Sequence, residues 1–309
     1  MCSTRPRPQP PPRCRSAARS PAGRWRSWPA ERRSTAGRTP AGPDGRAVRL
    51  DPTVTSHPAS PAALPDPVVP TQLGAPVPDD LHRERRIRSF HPRKGRMSDA
   101  QRAALARLWE RYGLRVDGRS RIDLGELFGD PELPVLLEIG FGMGDATATM
   151  AAADPGTGIL AVDVHTPGHG NLLRRIESDG LANVRLAEGD AVVLLRDQLA
   201  PASLAGLRIY FPDPWPKARH HKRRLLQPEF LELALSRLRS GATVHCATDW
   251  EPYAEQMLEV LSASPELENP YAGSDGGYAP RPEWRPVTKF ERQGLDKGHV
   301  VHDLVFRRR

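Results

Sequence analysis

The chain has 309 residues, 38% of them hydrophobic and 27% charged, with a formal net charge of +8. No run of about 18 apolar residues occurs, which excludes a membrane-spanning helix. The three cysteines, Cys2, Cys14 and Cys246, lack C-x-x-C spacing and support neither a disulfide framework nor a zinc site. A reducing cytosol suits this usage. The basic balance favours a polyanionic partner, because Lys and Arg beside phosphates release condensed counterions; solubility alone is the competing reading.

Residues 1–80 carry about half of the 33 prolines and many arginines, with few large apolar side chains. Such a segment buries too little apolar surface to offset its ordering entropy, so a disordered extension is expected. A spacer or an over-long start explains it more simply than an RNA-capturing arm. Order is expected from 81 to 309. A dense basic stretch, Arg85 to Arg96, precedes Ser98 and Gln101, which have the spacing of a capping box. The helix they start carries Leu105, Leu108 and Trp109 on one side and ends at Gly113.

From Val135 the pattern alternates. Strands are expected at Val135–Ile139, Ile159–Val164, Asn183–Ala187, Leu207–Phe211 and Thr243–Ala247. Helices are expected at Asp145–Ala153, Asn171–Ser178, Ala191–Leu199, Pro228–Leu238 and Pro252–Leu261. Repeated βα units imply a mostly parallel sheet with helices on both faces, an α/β doubly wound fold. Val300–Arg308 reads as a last strand that follows no helix and therefore returns antiparallel.

The first strand of the alternating part ends Glu138-Ile139-Gly140-Phe141-Gly142-Met143-Gly144. Glycines at alternate positions let the backbone turn tightly and approach a ligand with no Cβ between. Asp163, ending the second strand, is placed to accept both hydrogen bonds of a ribose diol, and Asp190, after the third, to receive an adenine amino group. A glycine turn followed by an acid also describes NAD sites, but those use G-x-G-x-x-G, and here the spacing is G-x-G-x-G. Glu138 would repel a pyrophosphate and attract an amine or sulfonium. S-adenosyl-L-methionine (SAM) therefore fits better than NAD, and glycines serving helix packing alone are the third reading.

The fourth strand runs into Phe211-Pro212-Asp213-Pro214-Trp215-Pro216-Lys217, then Ala218-Arg219-His220-His221-Lys222-Arg223-Arg224, four of whose seven residues are Arg or Lys. Three prolines restrict this loop. It would hold Asp213 beside the cofactor, offer Trp215 and Phe211 as stacking surfaces, and supply cations from Lys217 to Arg224 for a phosphate backbone. His220 and His221 are adjacent and face apart, so no metal is expected. Asp249 and Trp250 end the fifth strand at the same edge. Thr288, Lys289 and Glu291 later in the chain suit a base edge and a neighbouring phosphate.

These segments together resemble the tRNA (guanine-N7)-methyltransferase family. The matching pieces are EIGFGMG (138–144), VDVHTPGHG (162–170), FPDPWPKARHHKRR (211–224), ATDWEPYAEQM (247–257), RPVTKFERQG (285–294) and GHVVHDLVFRR (298–308), with IRSF and GRM between 87 and 97. The resemblance covers about 81–309. It implies a class I, Rossmann-like methyltransferase domain, SAM as donor, and a guanine at position 46 of the tRNA variable loop as acceptor. By position it assigns Glu138, Gly140, Gly142, Gly144, Asp163, Asp190 and Asp213 to the cofactor, with Asp213 catalytic. Lys217, Asp249, Thr288, Lys289, Phe290 and Glu291 fall to the substrate. One departure stands out: the family usually has Glu where this chain has the shorter Asp163. A cytoplasmic enzyme acting on tRNA, without metal or membrane and either monomeric or homodimeric, is implied. The residues alone also admit a SAM-dependent enzyme acting on another RNA or a small molecule, or a non-catalytic RNA-binding module.

Overall fold

A computed structural model describes residue 90, residues 95–296 and residues 298–309; the side chains of Asp275, Lys289, Phe290 and Gln293 are not among those described. The chain divides into units 1–60 and 61–309, and every described residue lies in the second. The expected Pro/Arg-rich extension and most of the basic stretch from Arg85 fall outside the described residues.

The described part begins with helix α1 (Asp99–Tyr112), closed at its start by the reciprocal Ser98–Gln101 capping box. Strand β1 (Gly113–Arg115) and helix α2 (Leu124–Phe128) follow. Then come β2 (Val135–Ile139), α3 (Asp145–Ala153), β3 (Gly158–Asp163), α4 (Thr166–Asp179) and β4 (Val184–Glu188). A short helix α5 (Ala191–Val193) continues as a π turn, Leu194–Gln198. After β5 (Leu204–Tyr210) the Ala218–Arg223 segment forms a 3-10 turn. The chain then runs through α6 (Pro228–Arg237), β6 (Leu238–Thr248), α7 (Glu251–Ala263), β7 (Leu267–Glu268), α8 (Lys289–Leu295) and β8 (His302–Arg308).

The eight strands form one sheet in the order β1-β4-β3-β2-β5-β6-β8-β7. Six are parallel, whereas β8 lies antiparallel to both β6 and β7. The alternation of side chains along each strand sends Leu137, Leu160, Leu207, Val244 and Leu304 to one face, where α6, α7 and the π turn cover them. Ile159, Ala161, Val184 and Leu186 point to the other, under α1, α3 and α4. Between β2 and β5 the winding direction reverses. In open α/β sheets that reversal opens a crevice at the carboxyl ends of the strands, where ligands bind.

The antiparallel return of the last strand is as expected, but the reason differs. Helix α8 does precede β8. His302 pairs with Thr248 at the carboxyl end of β6, so β8 starts at that edge and can only run back. Helix α4 begins before the expected Asn171, because two glycines serve its packing rather than interrupting it. A Cβ on Gly168 would lie 1.8 Å from the carbonyl oxygen of Gly142, and one on Gly170 would lie 2.8 Å from that of Gln101. The helix thus seats directly on the glycine turn and on α1. Among the described residues no helix is long and apolar enough to cross a membrane.

Candidate active site

The glycine turn leaves β2 with Gly140, Gly142 and Gly144 at φ of 79°, 59° and 77°. This left-handed region strains any residue with a Cβ. At Gly140 and Gly142 the space a Cβ would enter holds nothing within 4 Å, so both lie on an open face; at Gly144 the same atom would meet Leu172 at 2.7 Å. The first two glycines therefore serve the turn and approach from outside, and the third also serves packing. Asp163 at the end of β3 fixes the turn: its Oδ2 accepts from the Gly142 N–H (2.8 Å) and its Oδ1 from the His165 N–H (2.9 Å). Asp190 caps α5 by accepting from the Val192 N–H at 2.8 Å.

Glu138 is 3% exposed. Thr147 donates to its Oε1 at 3.0 Å, while Oε2 is buried with no hydrogen-bond partner. Burial lifts its pKa above the ordinary glutamate range, against the opposing pull of Arg208 and the Thr147 hydroxyl. A buried acceptor left unmatched costs about 1–3 kcal/mol, so this carboxylate is built for a donor the chain itself does not supply. An ammonium group fits it, as the open face over Gly140 and Gly142 fits a closely seated ligand.

The loop after β5 is held in unusual backbone. Phe211 and Trp215 have φ of 49° and 44°, rare for aromatic residues, and each precedes a proline. Two ties maintain it. The Phe211 N–H donates to Ala247 on β6 at 2.7 Å. Arg224 donates to the Pro214 carbonyl (2.9 Å), the Pro252 carbonyl (3.1 Å) and Gln256 Oε1 (2.6 Å), with its guanidinium 4.8 Å from the Tyr253 ring centre. Two expectations are corrected here. Trp215 is no stacking surface: it is 7% exposed, with the Arg223 guanidinium over its ring at 4.9 Å and His220 against its edge. Arg224 is buried and staples the loop to α7, so the exposed cations of this run are Lys217, Arg219 and Lys222. Asp213 itself is half-buried between two prolines.

Asp249, at the end of β6, accepts from His299 Nδ1 at 3.1 Å and lies beside α8. Thr288 caps α8 in a reciprocal box with Glu291. Glu291 is buried and forms a two-point pair with Arg285 (2.6 and 3.0 Å), so in this structure it anchors the segment rather than lining an open surface. The side chains of Lys289 and Phe290 fall outside the described set. Arg285 also forks onto Asp303 of β8 at 2.8 and 2.9 Å. Asp303 Oδ1 lies 2.7 Å from His245 Nε2, and His245 Nδ1 lies 2.9 Å from the Tyr210 hydroxyl. Burial holds the His245 pKa down, against the Asp303 carboxylate that favours the charged ring. Asp303 can only accept, so the His245 Nε2–H donates to it. Burial alone would raise Asp303, but hydrogen bonds from His245 and Arg285 overcome it and hold the carboxyl below the usual range.

A buried polar chain thus connects Thr288 to Tyr210, the residue before the Asp213 loop. The segments expected to meet substrate are joined under the surface. The sequence reading missed Tyr210, His245, Arg285 and Asp303. The available signal was a polar residue at a core position of a strand, His245 and Asp303 above all.

Residues 132–304 match the model of a family described as "Putative methyltransferase". The tRNA (guanine-N(7)-)-methyltransferase of Streptomyces coelicolor is 67% identical over 231 residues, covering 75% of this chain and 84% of that protein. The protein of the same name from Burkholderia vietnamiensis is 52% identical over 259 residues, covering 84% of this chain and 98% of the relative. The chain belongs to the tRNA (guanine-N7)-methyltransferase family. A solved structure, TrmN from Thermus thermophilus, matches 57% of this chain and 44% of that one at 17% identity with a TM-score of 0.39.

Proposed function

We propose that this chain transfers the methyl group of SAM to N7 of a guanine in tRNA, at position 46 of the variable loop, as a cytoplasmic enzyme whose methyltransferase unit spans 81–309. The observation that carries the reading is the high identity, over most of the chain, to relatives that bear this activity in their names. The buried, half-satisfied carboxylate of Glu138 beside an open glycine turn supports the donor assignment.

When bound, SAM supplies a methyl group activated by a sulfonium. The chain's own residues then divide the work of holding donor and acceptor. Glu138 meets the donor's cationic end, and Gly140 and Gly142 let the backbone approach it. Asp163 already accepts one backbone N–H on each oxygen, and each oxygen keeps a second lone pair for a ribose hydroxyl. Asp190 receives the adenine amino group. Asp213 and Asp249 hold the guanine by its N1 and N2 hydrogens, with Thr288 to Glu291 closing the pocket and Lys217 on a phosphate.

Guanine N7 has a free lone pair, so no base has to remove a proton first. In-line positioning by these groups contributes about 7–11 kcal/mol of barrier lowering in well-oriented reactions. The methylated ring gains positive charge, which the Asp213 carboxylate stabilises.

The test is transfer from labelled SAM to tRNA lacking the modification, followed by reduction and aniline cleavage at N7-methylguanine. One methyl per tRNA and a single cut in the variable loop are expected. Label on another base, or on small molecules without tRNA, would contradict the proposal.

A further inference from the structure

Two charged groups of opposite sign stand side by side at the switch point of the sheet without pairing. Glu138 of β2 and Arg208 of β5 are register partners on adjacent parallel strands. Glu138 Oε2 and Arg208 Nη1 are both buried, and neither has a hydrogen-bond partner. Their charges nevertheless feel each other, since Arg208 opposes the burial-driven rise of the Glu138 pKa.

An arginine and a glutamate so placed would close into a fork if nothing were meant to come between them. Two features hold them as they are. Thr147 holds the other carboxylate oxygen of Glu138. Trp284 lies 4.9 Å from the Arg208 guanidinium and itself packs edge-on against His245, which the polar chain to Arg285 anchors. The guanidinium is thus kept in place by a ring face and not by a carboxylate.

An unmatched acceptor and an unmatched cationic donor, adjacent and buried, are complementary to one chemical group: the α-ammonium and α-carboxylate of an amino acid. We infer that Arg208 binds the α-carboxylate of the methyl donor while Glu138 binds its α-ammonium, so that the pair grips the zwitterionic tail. This deepens the function proposed above and rests on it. The zwitterion would complete both groups at once, which neither a simple amine nor an anion does.

The test compares SAM with decarboxylated SAM, which keeps the sulfonium and amine but lacks the carboxylate, by titration calorimetry on the full chain. The intact protein should bind SAM tighter than the decarboxylated analogue by about ten- to a hundred-fold, the worth of one charge-assisted hydrogen bond. In Arg208→Met the two ligands should bind within about two-fold of each other, with affinity for the analogue unchanged. Arg208→Gln keeps a donor without the charge and should fall between, and it serves if the Met variant does not fold. Equal weakening of both ligands by the Arg208 variants, or no weakening of either, would overturn the assignment. Failure of the intact protein to bind SAM would instead sink the functional reading itself.

Discussion

Asp213→Ala should lower turnover on unmodified tRNA by about 10²–10³-fold, the usual cost of removing one preorganised group that stabilises developing charge. SAM affinity should fall far less. The reason is local. The loop around Asp213 is shaped by Pro212, Pro214 and Pro216, by the left-handed turns at Phe211 and Trp215, and by the Arg224 staple onto Pro214. These supports come from other residues, so the truncation should act mainly on the chemistry. Single-turnover rates with SAM held saturating, alongside calorimetric SAM affinity, separate the two effects. Equal losses in both would make Asp213 a donor-holding residue instead.

Arg285→Met should cost about 3–5 kcal/mol of stability, the range for breaking a buried ion pair from one side. Arg285 is 0% exposed, and its loss strands Asp303 and Glu291, two buried carboxylates that it bonds twice each. The deficit should shrink on acidification. The Asp303 carboxyl is held below the usual range in the folded protein, so its stabilisation is present above the unfolded pKa and lost as pH falls through the folded one. Below that window the intact protein has lost what the variant never had. Denaturant midpoints of both proteins at neutral and acid pH read this directly. A loss under about 1 kcal/mol would mean that water replaces the guanidinium and that the network is no brace.

Helix α1 and most strands and helices from Val135 onward were legible because each carries a strong local signal: a capping box before α1, a continuous apolar run for a buried parallel strand, an Ala-rich stretch for α3. The elements missed are short or borrowed from tertiary contact. Strand β1 is three residues long and forms only by pairing with β4. Helix α2 has no buried residue to mark its pattern. The TKFE stretch was read for its chemistry, although it is also a helix start, because a capping box and a ligand-binding box use the same residue types. The glycine turn and Asp163 were legible because spacing alone brings them together. Arg285 and Asp303 were not, since eighteen positions of chain separate two groups that only the antiparallel return of β8 unites. Trp215 misled for a related reason: a tryptophan between prolines at a strand end suits a stacking platform and a buried anchor equally well, and only burial decides.

The central claim is that the open edge over Gly140 and Gly142, with Glu138 beneath, takes up a cationic methyl donor. Calorimetric titration of the ligand-free chain with SAM tests it most directly. One SAM per chain is expected. Burial raises the pKa of Glu138 and a bound cation lowers it again, so affinity should weaken as pH falls through that raised value. An absence of binding heat, or an affinity that Glu138→Gln leaves untouched, would contradict the account.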